Sequence, residues 1–220
     1  MQLGGATWLE VAATGGACVL AVPVGSLEQH GPHLPLDTDT RIAVELATRL
    51  SRSRPDVVVA PAVAYGASGE HAAFPGTLLI NHAVLAELLV ELVRSARDAF
   101  AGVVLISAHG GNHEGLALVR RRCGADGDPV LVWAAGVRGG DAHAGRTETS
   151  LMLAIDPGAV RTDLAAAGRT EPLEVLLPRL RAEGVRPISS NGVLGDPRGA
   201  SGRGLRYRSR RWARPSIRST

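Results

Sequence analysis

The sequence predicts a single-domain α/β protein, with a mostly parallel sheet covered by helices on both faces. Three observations carry that expectation. Short apolar runs without polar alternation, at Cys18–Val24, Val57–Ala60, Val103–Ser107 and Val130–Ala135, read as strands buried on both sides. Amphipathic segments lie between most of them, as crossover connections between parallel strands require. Three of the runs lead directly into polar clusters rich in Glu, Asp, His and Gly. In an open α/β sheet that carboxyl edge is where ligands bind.

Taken in order, Cys18–Val24 is closed by Gly25 and Ser26. Thr40–Arg52 follows as a helix, with Ile42, Leu46 and Leu50 at four-residue spacing and Asp39 or Thr40 as the expected cap. Val57–Ala60 is stopped by Pro61, and Ala64–Gly76 is a Gly- and Ser-rich loop. Asn81–Phe100 is the clearest helix: Asn81 is placed to cap it, and Val84, Leu85, Leu88, Leu89, Leu92, Val93 and Ala96 form its apolar stripe. Val103–Ser107 is the third strand, and His113–Cys123 reads as a helix. After Val130–Ala135 comes the Gly-rich loop Gly136–Thr147. Glu148–Ile155 is a short helix that stops before Pro157, and Pro172–Glu183 is again amphipathic.

A chain of 220 residues with 45% apolar content suits one domain with a full core, and no internal repeat or linker precedes residue 200. No apolar run reaches the roughly 18 residues of a membrane span. Met1–Glu10 has neither the basic nor the apolar region of a secretory signal. Cys18 and Cys123 sit on apolar segments and read as buried free thiols, so a cytoplasmic location is expected. The net charge of +3 belongs to the end of the chain. Residues 202–220 hold seven Arg and no acid; without them 17 Arg face 21 acids, a net charge of −4. Residues 1–201 are therefore expected to be the folded domain. The Arg-rich tail, 202–220, has no apolar period and is expected to be disordered or ordered only by a neighbouring subunit. That tail, with Tyr207 and Trp212, supports one alternative of another class: nucleic-acid binding without catalysis. The acidic body argues against it.

Glu28-Gln29-His30-Gly31-Pro32-His33-Leu34-Pro35-Leu36-Asp37-Thr38-Asp39 places three carboxylates and two imidazoles within twelve residues. These are the ligand types that hold Zn, Mn or Fe. Glu28 and His30 are two apart and face the same way in extended backbone. A second cluster, Ser107–Glu114, offers His109 beside two glycines, with Asn112 able to cap the next helix. A third, Asp141–Ser150, offers His143 in a Gly-bounded loop and Glu148 at a helix start. Glu70 and His71, in the loop after the second strand, read either as substrate contacts or, with more weight, as plain loop polars. Convergence of three strand ends decides for chemistry. Two ions sharing a carboxylate suit the hydrolysis of an unreactive bond such as an amide.

These segments resemble the creatininase family, the creatinine amidohydrolases and their relatives. GSLEQHGPHLPLDTDT, HGGN, HAGRTETS and NGVLGDPRGAS occur in family order and spacing over residues 18–201. The resemblance implies a creatininase-like α/β fold, two divalent metal ions per chain (Zn, Mn or Fe) at the strand ends, and a homo-oligomer. By position it implies Glu28, His30, Asp39 and His109 as metal ligands with Asp39 bridging, Glu148 as the fifth ligand, and His143 as the catalytic histidine. Creatininase proper has an acid two residues after the HGGN-type histidine, where this chain has Gly111. Glu70, His71, Asn112 and Arg146 are expected at the substrate. The LPLDTDT, DAHAGRTETSLML and NGVLGDP segments most resemble family members that trim a C-terminal dipeptide from a small modified precursor peptide. The expected activity is hydrolysis of a C–N amide bond in such a peptide; a creatinine-like cyclic amide or a formamide is the alternative. The chain has seven aromatics (three Trp, two Tyr and two Phe), and the two loops nearest the clusters carry only Tyr65 and Phe74. That leaves an open groove in place of aromatic walls, with Arg138 or Arg146 available for a terminal carboxylate.

Overall fold

A computed structural model of the chain describes residues 1–137 and 139–202. Four strands form one parallel sheet: β1 (Val19–Val24), β2 (Val57–Val59), β3 (Gly102–Ser107) and β4 (Val130–Ala134), in the order β2-β1-β3-β4. The α-helices among the described residues are α1 (Trp8–Ala12), α2 (Thr38–Ser53), α3 (His82–Ser95), α4 (His113–Asp126), α5 (Arg146–Ile155) and α6 (Leu173–Glu183).

Successive strand residues point to opposite faces, and both faces are buried in β1, β2 and β3, whereas in the edge strand β4, against expectation, only Val132 is buried and Leu131 is exposed. Leu20, Val22 and Val24 of β1 join Val103 and Leu105 of β3 on one side, under Leu85, Leu89 and Val93 of α3 and Leu116, Val119 and Cys123 of α4. On the other side Ala21, Val57, Val59, Val104 and Ile106 pack against Ala47, Leu46 and Leu50 of α2. A third cluster seats α5 on α2 through Met152, Leu34 and Ile42. Register then brings the strand ends level. Val24 pairs with Ser107, and Ser107 with Ala134, so the segments after β1, β3 and β4 all leave from one edge.

Several details differ from the sequence expectation. Helix α2 starts at Thr38, so Asp39 lies inside the first turn and caps nothing; Asp37 occupies the cap position without a side-chain capping bond. The Asp37 carboxylate instead accepts from Arg41 Nε at 2.7 Å, and Arg41 also reaches Asp156 at 2.7 Å. Asn81 does cap α3, its Oδ1 accepting from the Val84 amide at 2.9 Å. That helix ends at Ser95, ahead of Phe100, because the chain must turn to enter β3. Its buried face is Leu85, Ala86, Leu89, Val90 and Val93, whereas Val84, Leu88 and Leu92 are exposed. Cys123 is buried, but Cys18 is only half-buried. The tail from residue 203 onward, and Arg138, lie outside the described residues. No helix among the described residues is long and apolar enough to cross a membrane.

The shifted stripe gives a direct test. Leu89→Ala should cost about 2–5 kcal/mol of unfolding free energy by denaturant titration. Leu88→Ala, one residue away on the exposed side, should cost less than about 0.5 kcal/mol. Equal losses would mean that another chain covers this face.

Candidate metal centre

The site begins with a close approach of strand and helix. At Gly25, a Cβ would lie 2.3 Å from Thr40 Oγ1 and 2.5 Å from Thr40 Cα. Without a side chain there, α2 starts directly against the end of β1, and Thr40 Oγ1 donates to the Ser26 carbonyl at 3.0 Å. Between the two the chain makes a tight excursion. The Glu28 amide donates to the Leu36 carbonyl at 3.0 Å, and Gly31 turns in the left-handed region at φ +65°. Outbound Glu28 and His30 thus meet inbound Asp39.

Asp39 touches two groups at once. Its Oδ1 lies 3.2 Å from His30 Nε2 and its Oδ2 lies 3.1 Å from His109 Nδ1. The Ser26 hydroxyl donates to Oδ2 at 2.8 Å and fixes the carboxylate plane. His109, just after β3, sets Nε2 3.2 Å from Glu28 Oε2. One set of donors, Glu28, Asp39 and His109, has its ligand atoms within 4.8 Å of one another; so has a second, His30, His143 and Glu148. His143 reaches the site from the segment after β4, paired with Leu194. The next residue, Ala144, adopts φ 51°, a conformation that a residue with a Cβ rarely takes. That strain aims the Ala144 amide at Glu148 Oε2, 2.6 Å away. The His143 ring lies between those of His30 and His71, with centroids 4.4 Å from each.

The electrostatics are those of a site short of positive charge. Burial pushes the Glu28 carboxyl up to about 7 despite the attraction of His109, and burial likewise pushes Glu148 up to about 7. Burial alone would strip protons from His30 and His109. The Asp39 charge beside His30 and the Glu28 charge beside His109 reverse the sign and hold both imidazoles up to about 10. Burial opposes ionisation of Asp39, yet His30 and His109 together hold its carboxyl well below the usual range. His71 and His143 move the other way: burial, then the charge of His30, pushes His71 down to about 3 and His143 well below the imidazole range. Both Glu28 oxygens are buried without a hydrogen-bond donor, a costly state that asks for an explanation. A divalent cation supplies one. The donors are imidazole and carboxylate with no thiolate, a set suited to zinc or manganese.

All six residues expected at the metals (Glu28, His30, Asp39, His109, Glu148 and the catalytic candidate His143) come together. The substrate expectations fare differently. His71 is no loop polar: it is buried, with Nε2 3.4 Å from Glu28 Oε1. Glu70 beside it is half-buried. Asn112, expected at the substrate, is fully enclosed and engaged elsewhere. Its Oδ1 accepts from the Ala67 amide at 2.9 Å, and its Nδ2 donates to the Gly25 carbonyl at 3.0 Å, so it ties three strand ends together. Arg146 is exposed in the first turn of α5, within reach of the Arg198 carbonyl at 3.5 Å. Sequence reading passed over three polar side chains. Ser26 orients Asp39. His33 binds Thr149 Oγ1 at 2.9 Å, next to Glu148. Gln29 contacts both His71 and His143.

The family model for creatinine amidohydrolase matches residues 5–205. The chain belongs to the creatininase family. A mycofactocin precursor peptide peptidase from Mycolicibacterium smegmatis is 50% identical over 81% of this chain and 74% of that protein. Among solved structures, a creatininase variant of zinc–zinc type has a TM-score of 0.71 at 28% identity, covering 91% of this chain and 89% of that one. A manganese creatininase has a TM-score of 0.68 at 27% identity with the same coverage. Family membership makes the Gly111 departure legible. A Cβ there would lie 2.4 Å from the Ala67 carbonyl, 2.4 Å from His109 Nε2 and 2.6 Å from Glu70 Oε1. No acid fits at that position without moving the loop, and a carboxylate reaches the site from Glu148 instead.

The protonation pattern predicts how this creatininase-family site responds to pH. Groups hold their protons below their pKa, so His30 and His109 stay protonated until about pH 10, and Glu28 and Glu148 until about pH 7. A cation must displace those protons. Zinc affinity of the metal-free protein should therefore rise from pH 6 to 8, by about tenfold or more per pH unit if one or more protons leave. Calorimetric titration in two buffers of different ionisation enthalpy should show proton release. A pH-independent affinity would remove these imidazoles from the ligand set.

Proposed function

We propose that this chain is a dimetal peptidase that releases a short C-terminal fragment from a small modified peptide, the mycofactocin precursor named for its relative. The observation that carries the reading is the Asp39 carboxylate set between His30 and His109, one oxygen toward each, with the buried Glu28 carboxylate beside it. Glu28, Asp39 and His109 would hold one ion; His30, Asp39 and Glu148 would hold the second. Ions bound there supply Lewis-acid polarisation of the scissile carbonyl and of the attacking water. Ser26 keeps Asp39 oriented to serve both groups. His143 takes the proton that the water loses on attack and returns it to the leaving nitrogen as the C–N bond breaks.

Distribution of the aromatics favours a peptide over a small planar ring. Phe100 is buried in the core, Trp133 packs beneath the sheet, and Phe74 packs against the cluster built on α6. Trp8 belongs to α1, ahead of the sheet, so among the described aromatics Tyr65 alone stands exposed in a strand-end loop. Among the described residues no pair of rings remains to sandwich creatinine. A cavity of about 720 Å³ lies beside the His143 segment, lined by Ala142, Leu194, Thr147 and Arg146 but by none of the metal donors themselves. It offers room for an extended chain and a guanidinium for a terminal carboxylate.

Metal analysis of protein purified without chelator should give close to two ions per chain. Asp39→Ala should lose both, and Glu28→Ala should chiefly weaken one; full occupancy in Asp39→Ala would remove the bridging role. His143→Ala should keep the ions and lose activity by about 10²–10⁴. Incubating zinc-loaded protein with the precursor peptide, and separately with creatinine, decides the substrate by mass spectrometry. Turnover of creatinine with the peptide untouched would reverse the assignment.

A further inference from the structure

Gln29 lies between Glu28 and His30 in the chain, is buried, and holds no place in either donor group. Two backbone groups fix which way its amide points. The Gly31 N–H, which can only donate, lies 2.8 Å from Oε1. The Gly192 carbonyl, which can only accept, lies 3.1 Å from Nε2. One of the two amide hydrogens is thus committed to Gly192. Two ring nitrogens stand near the other: His71 Nδ1 at 2.8 Å and His143 Nε2 at 3.1 Å. His143 Nε2 is also 2.8 Å from the Gln29 main-chain carbonyl, an acceptor, so it carries a proton of its own. The remaining amide hydrogen goes to His71 Nδ1, which must then be bare. An imidazolium at His71 would set N–H against N–H at 2.8 Å.

We propose that Gln29 is a positioning residue that fixes the tautomers of both histidines, each protonated on Nε2 and bare on Nδ1. This rests on the reading of His143 as the proton-transfer group and adds the atom that acts. His143 Nδ1, the bare nitrogen, faces the donor groups, 3.8 Å from Glu28 Oε1. It takes the proton from water and hands it to the leaving nitrogen. His71 receives a different role. Although Glu28, His71 and His143 also bring ligand atoms within 4.8 Å, His71 Nε2, 3.4 Å from Glu28 Oε1, carries the ring proton in this tautomer. A protonated nitrogen cannot bind an ion. His71 therefore lies behind the Glu28 carboxylate as an outer-layer neighbour of a metal ligand, and this tautomer leaves it no free nitrogen for a third ion.

Histidine-selective ¹⁵N labelling and long-range ¹H–¹⁵N correlation of the zinc-loaded protein test this directly, with the His71 and His143 signals assigned from the spectra of His71→Asn and His143→Asn. Both rings should show the neutral Nε2–H pattern. An Nδ1–H or imidazolium pattern at either one overturns the proposal. Gln29→Glu keeps the acceptor for Gly31 and removes both donors. It should flip His71 to Nδ1–H, keep His143 at Nε2–H on the unchanged main-chain carbonyl, and leave zinc content unchanged. An unflipped His71, or a flipped His143, also overturns it. If Gln29→Glu fails to fold, the spectrum of the native protein decides alone. That spectrum needs no turnover: a protein that cleaves neither substrate sinks the functional reading while the tautomers still answer this one.

Discussion

Buried negative charge matched by imidazoles and by no arginine is the constraint that shapes this molecule. Glu28 and Asp39 are enclosed and Glu148 is partly so, and among the described residues no arginine pairs with any of them. An ionised carboxylate taken from water costs far more than any single packing contact returns. The fold answers with imidazoles on every side, with the first turn of α2 at Asp39, and with donor geometry that a divalent cation would complete. Everything around the site serves that answer. Level strand ends deliver the side chains to one edge, Gly25 lets the helix close on the strand, and Asn112 locks the loops in place.

Much of this was legible in the sequence where the information is local. Apolar runs without alternation gave the four strands, because a parallel sheet buried on both faces leaves no other pattern. Glu28, His30 and Asp39 stand within twelve residues and carry metal-binding side chains, so composition and spacing point the same way. His109 was readable as the first polar side chain after a buried strand, and His143 as a histidine in a Gly-bounded loop.

The misreadings have a common physical origin. Asp39 resembles a helix cap because Asp at a helix start usually is one. Only the buried packing of α2 against Gly25 shows that the helix begins earlier and that this carboxylate turns inward. Asn112 looks available in the sequence, but its partners at Ala67 and Gly25 are 45 and 87 positions away. His71 sits in an ordinary loop, and its value comes from Glu28 and Gln29, which no nearby residue announces. Gln29 was passed over because an amide has no chemistry of its own. Its importance lies in which neighbour receives which hydrogen, a property of three dimensions alone. The exposed line on α3 shows the same limit: a seven-residue apolar stripe is wider than the face that the sheet can cover.

The clamp formed by Asn112 also bears on the order in which this protein can be made. Its two hydrogen bonds span segments that leave a ribosome well apart in time, and Glu148 follows later still. No short fragment of the chain can hold the finished pair of donor groups. Glu28, Asp39 and His109 are complete once β3 and its loop have emerged, whereas the second group waits for α5. Completion of both donor groups is therefore a late event in the birth of the molecule, and it follows the long-range contacts that build the sheet edge.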